Sequence, residues 1–268
     1  MSPQPSSKRS AGNGVGMARM DEVVSARRHP ANAASAGLAN ARLHTYARQV
    51  GALLWKDLAI ELRTRDAIAS MLVFGVLTLT VFNFAFELRT ETASLVAPGV
   101  LWVSILFAGT LGIGRTYSHE HDRGSMEGLL LCPVDRSAIY VAKFLANLTY
   151  LVIAEIVLVP VFSSFFDVSA LRPGIIAVIL LGSIGFAAVG TVFGAMAVNT
   201  RAREVMLPIL LLPILVPLII GAVKATGILI DGGTWSETWT WVNLLIAADV
   251  VYLVASFIVF EYVVEDWG

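Results

Sequence analysis

The chain has 268 residues, 56% of them hydrophobic and 15% charged, with a net charge of −1. That composition leaves too little polar surface for a soluble domain of this size, and a near-neutral balance gives no electrostatic footprint for nucleic acid. A single cysteine, Cys132, excludes an internal disulfide framework and any multi-cysteine metal site.

Residues 1–41 are rich in Ser, Ala, Asn, Gly and Arg and hold no long apolar run, so they read as a disordered cytosolic tail. Over 42–66, Leu43, Tyr46, Val50, Leu53, Leu54 and Leu58 recur at three- and four-residue spacing, with Arg48, Gln49, Lys56 and Arg63 on other faces. This pattern predicts an amphipathic helix in the membrane interface; a cytosolic helix packed on protein is the alternative. Asp57 and Glu61 break the apolar stripe.

Residues 67–268 form the membrane domain. A hydrocarbon core of about 30 Å takes roughly 20 apolar residues in a helix, and six segments qualify: 67–86, 95–114, 138–166, 174–198, 205–223 and 241–263. The expected fold is therefore all-α with six transmembrane helices. Sixteen Lys and Arg fall on the N-terminal side of this arrangement, and only Arg89, Arg172 and Lys224 on the other. The asymmetry predicts that both termini are cytosolic.

Between the second and third spans, the loop from Tyr117 to Arg136 is too long and patterned for a simple connector. Ser125 is placed to cap a short helix to Leu131, with Pro133 stopping it. Such a helix presents Met126, Leu129 and Leu130 beside Glu120, Asp122, Arg123, Gly124 and Glu127, an apolar ridge with a charged rim that suits a groove on a partner. A surface turn holding two spans together is the plainer reading. His119 and His121 flank Glu120, but no further ligand cluster is visible, so a solvated polar face is favoured over a metal or haem site.

Inside the spans, Glu155 and Asp249 are costly to bury and are candidates for a translocation path, or equally for hydrogen-bonded helix packing. Pro208, Pro213 and Pro217 each remove a backbone hydrogen bond in the fifth span, which predicts kinks that could act as hinges. Gly190 and Gly194 fit close helix packing. The Asn147-Leu148-Thr149 sequon lies in a predicted span and is discounted. No phosphate-binding loop of the G-x-x-x-x-G-K-[ST] type occurs, so any ATP hydrolysis belongs to another polypeptide.

From about Trp55 to the C-terminus the sequence resembles the heme exporter protein B family, the permease subunit of the bacterial cytochrome c maturation ABC transporter. The likeness rests on Ala97-Pro98-Gly99-Val100-Leu101-Trp102, on the Glu120 to Pro133 loop followed by Lys143, and on Gly185-Phe186-Ala187-Ala188-Val189-Gly190. It continues in the Leu207 to Pro217 stretch leading to Gly221-Ala222-Val223-Lys224. The resemblance implies an ABC-2-like fold with an interfacial helix, six spans and a coupling helix between spans two and three that docks on a separate ATPase subunit. It further implies a bacterial inner-membrane location, haem-handling maturation proteins and a periplasmic haem chaperone as partners, and haem as possible substrate with no cofactor bound to the chain itself. A generic ABC-2 permease for drug, lipid or polysaccharide is the runner-up, and an ion-coupled secondary transporter using Glu155 or Asp249 a third reading.

Overall fold

The computed structural model describes residues 44–86, 90–122, 128, 134–198 and 203–265. The chain divides into a unit Met1–Arg48, of which the described residues 44–48 are helical, and a unit Gln49–Gly268. In the second unit α1 covers 49–64. It is followed by α2 Asp66–Phe86, α3 Thr90–Asp122, α4 Arg136–Phe165, α5 Pro173–Val198, α6 Arg203–Ile230 and α7 Trp235–Glu265. The last six are each long and apolar enough to cross a membrane, and no strand occurs among the described residues.

α3 and α5 are buried along most of their length, whereas α2 and α7 turn most of theirs outward. α5 packs against α4, α6 and α7, and α3 against α2, α4, α5 and α6. The centre is filled by Trp102, Phe162, Phe186 and Phe260, all fully buried. Trp102 donates from Nε1 to Thr226 Oγ1 at 3.0 Å, tying α3 to α6, and its ring lies where a Cβ on Gly182 of α5 would stand. Gly190 and Gly194 pack in the same way against Ile113 and Tyr117 of α3, so this glycine pair brings α5 onto α3. Asn147 donates to Thr191 at 3.0 Å in the buried interior, which accounts for a sequon inside a span.

Helix ends lie beyond several expected limits. α6 runs to Ile230 and α7 starts at Trp235, closing most of the gap expected between 223 and 241. The stop is a Schellman turn: Gly232 adopts φ +84°, with Gly233 N donating to Ile228 O at 2.8 Å and Gly232 N to Leu229 O at 3.3 Å. Glu237 then reaches back to the start of α7, Thr234 N donating to its Oε2 at 3.3 Å, one half of a capping box. α3 likewise continues past Gly114 to Asp122, and α6 remains helical through Pro208, Pro213 and Pro217.

Candidate functional site

The face of α1 that carries Leu54, Asp57, Leu58 and Glu61 packs inward, and Leu53, Leu54 and Leu58 rest on the hydrophobic core. Leu53, Leu54 and Leu58 of the apolar stripe thus pack on protein, and the side of α1 turned outward holds Trp55 and Leu62, which are 71% and 62% exposed. Asp57 and Glu61 stop being flaws in the pattern once their partners are seen. Asp57 Oδ2 accepts from Lys143 Nζ at 2.8 Å, and Glu61 Oε1 accepts from the backbone N–H of Ile68 at 2.9 Å, capping the first turn of α2. Burial nevertheless raises the Glu61 carboxyl above the ordinary glutamate range, opposed by the backbone N–H groups of Ile68 and Ala67.

Lys143 is the hub of this junction. Its ammonium pairs with Asp57 of α1 and with Glu120 at the end of α3, while Lys56 reaches Asp57 Oδ1 at 3.0 Å and Glu120 Oε1 at 3.7 Å. Among the described residues two cations and two carboxylates thus meet in a site where Lys143, Asp57 and Glu120 are 2%, 4% and 7% exposed. An isolated ion at that depth costs several kcal/mol, so the cluster persists only because each charge has an opposite neighbour. Its position in the chain gives it meaning. Glu120 precedes the 123–133 loop and Lys143 follows it, so one ammonium ties both stems of that loop to α1.

Of the loop itself, Gly128 is helical and exposed. Arg123, Gly124, Met126, Glu127, Leu129, Leu130 and Cys132 lie outside the described residues, and Asp122 is the last residue of α3. Among the described residues no group of three His, Cys, Asp or Glu is arranged to hold a metal.

Glu155 and Asp249 are buried, at 4% and 5% exposure. They flank α5 on opposite sides: Ser183 of α5 donates to Glu155 on α4, while the Asp249 carboxylate on α7 lies against Gly185, where a Cβ would collide with it. Residues two apart on a helix face opposite ways, which is why Ser183 and Gly185 serve different neighbours.

The family model described as CcmB protein matches residues 48–264. The chain belongs to the CcmB family. Among its relatives is the protein named heme exporter protein B of Pseudomonas aeruginosa, 26% identical over 178 residues, or 65% of this chain and 80% of the relative. Proteins of the same name in Rhodobacter capsulatus and Paracoccus denitrificans are 28% and 27% identical, over 64% and 65% of this chain and 79% and 80% of theirs. The CcmB match covers every member of the ion cluster and leaves out the N-terminal residues 1–47.

The residues that sequence reasoning missed are Asp57 and Lys143 as partners of Glu120. The signal was present: a lysine a turn and a half into an apolar span needs an acid close by, and an acid inside an otherwise apolar stripe needs a cation.

Proposed function

We propose that this chain is the membrane permease subunit of a haem export system, the membrane half of an ABC exporter acting in cytochrome c maturation. ATP is hydrolysed on a separate subunit, and haem leaves as substrate or on a periplasmic chaperone released by the cycle. Membership of the CcmB family and the names of its relatives support this reading. The observation that carries it to mechanism is the buried Lys143 bridge, because it joins the loop best suited to an ATPase groove to the rest of the membrane domain.

In this scheme Met126, Leu129 and Leu130 dock on the ATPase with Asp122, Arg123, Gly124 and Glu127 beside them, while Glu120 at the end of α3 anchors the stem of the loop through Lys143. A displacement of the loop moves the ends of α3 and α4 together, since both are held by one ammonium, and carries α1 with them. Glu155 and Asp249 serve as polar points beside α5, and Pro208, Pro213 and Pro217 leave free carbonyls that let α6 bend. The distribution of Lys and Arg supports a bacterial inner-membrane protein with cytosolic termini.

Purification of the tagged chain from mild detergent, with mass spectrometry of what accompanies it, tests the assignment. An ATPase together with haem-handling maturation proteins is expected. An ATPase alone would favour a generic exporter. Undiminished covalent haem on periplasmic c-type cytochromes after deletion of the gene would overturn the proposal.

A further inference from the structure

Next to the ion cluster, at the membrane face where α2 begins, a cleft of about 190 Å³ opens between α1, α2, α3 and α4. Its wall carries both signs of charge: Glu61 and Asp66 from α1 and α2, with Asp57 and Glu120 of the ion cluster behind them, and Arg115 from α3. Arg115 forms no ion pair with these acids or any other among the described residues, although all line one small space. His119 Nε2 is buried there without a hydrogen-bond partner. Unlike charges held around a common space without closing on each other form a template for a ligand that itself carries both signs.

The surroundings are those of a lipid site. Trp55 and Leu62, an aromatic and an aliphatic side chain of the kind found at membrane interfaces, stand exposed on α1. Asp66 shares its α2 face with Val73 and Leu77, seven and eleven residues on, which are 71% and 58% exposed. A polar head at Asp66 therefore has an apolar track for acyl chains running directly away from it.

We propose that this cleft binds the headgroup of a zwitterionic aminophospholipid, with phosphate on Arg115 and the primary ammonium against Glu61 and Asp66. A guanidinium suits phosphate through paired N–H donors. The two acids disfavour an anionic headgroup that brings no ammonium of its own. A quaternary choline brings charge but no N–H to donate, so it fits less well. The bound lipid bridges α1, α2 and α3 beside the Lys143 bridge. The inference does not depend on the export reading.

The test uses the full-length chain reconstituted in nanodiscs of mixed phosphatidylethanolamine, phosphatidylcholine and phosphatidylglycerol, with native mass spectrometry of lipids retained on extraction. Phosphatidylethanolamine is expected to be enriched about tenfold over the other two, the equivalent of one charge-assisted hydrogen bond. Arg115→Gln should abolish the enrichment, and Asp66→Asn should let phosphatidylglycerol compete; both positions are exposed, so folding is preserved. Equal retention of the three lipids, or enrichment unchanged in Arg115→Gln, would overturn the proposal. If free phosphoethanolamine raised the thermal midpoint in detergent as much as the lipid does, the lipid assignment would fall.

Discussion

Replacing Lys143 by Met is the sharpest perturbation of the junction, because it keeps the length and packing of the side chain while deleting its charge. The side chains of Lys143, Asp57 and Glu120 are 3%, 2% and 9% exposed, whereas Lys56, the other cation, is 37% exposed. Without the ammonium, two buried carboxylates face each other, and among the described residues this half-solvated lysine is the cation left beside them. Breaking a buried pair in this way costs about 3–5 kcal/mol. At about 2–4 °C per kcal/mol for a chain of this size, the thermal midpoint should fall by roughly 6–20 °C. The control is the triple variant Lys143→Met, Asp57→Asn, Glu120→Gln, which leaves no unpaired ion buried and should recover at least half of the loss. Thermal unfolding of the purified chains in one detergent, followed by intrinsic fluorescence, reads both. An unshifted midpoint for Lys143→Met, or a triple variant as unstable as the single one, would show that the cluster is not the buried charge balance described above.

The same triple variant separates folding from transmission: it should insert and bind the ATPase yet yield little covalent haem on c-type cytochromes, and full activity would mean the bridge carries no motion. In the loop, Glu127→Lys and Leu130→Asp should weaken co-purification of the ATPase, since each places a wrong-sign or unpaired charge at a desolvated contact; unchanged recovery with both variants would remove the loop from the interface. Glu61 sets a pH dependence. Its folded carboxyl titrates above the unfolded one, so the stability it contributes is full below the ordinary glutamate pKa and is lost as pH rises through the raised value. Glu61→Gln, which keeps an acceptor for Ile68, should therefore gain in thermal midpoint relative to the parent as pH rises above about 4.5, and a difference flat with pH would refute the assignment. Finally, Gly194→Val should displace the Tyr117 ring and break its 2.8 Å bond to the Thr191 carbonyl; a midpoint within about 1 °C of the parent would show that α3 and α5 are not in close contact there.

The six spans were legible in the sequence because an apolar run of about 20 residues is a one-dimensional signal that needs no knowledge of neighbours. Their ends were not, because helices here are stopped by turn chemistry rather than by the edge of the hydrocarbon. Gly232 and the Thr234 to Glu237 bond lie beyond the apolar run that marks the span. The candidate site divides along the same line. Glu155 and Asp249 stand out in sequence as lone charges in apolar surroundings, and the structure finds both buried beside α5.

Asp57 and Lys143 are 86 residues apart, and nothing local to either says that they meet. Each violates its own segment's pattern, the acid in an apolar stripe and the lysine in a span, and either violation alone reads as noise. Taken as a pair they are no longer independent, since burying one charge is affordable only where the other lies. Glu120 obeys the same constraint. A single lysine can neutralise one acid, so the second carboxylate requires a second cation, and Lys56 supplies it one residue before Asp57. The adjacency of Lys56 and Asp57 in α1, with Glu120 and Lys143 on either side of one loop, means that the loop cannot shift either stem without disturbing the charge balance at the other. That is the physical basis for expecting α1, α3 and α4 to move as one body when the loop is driven.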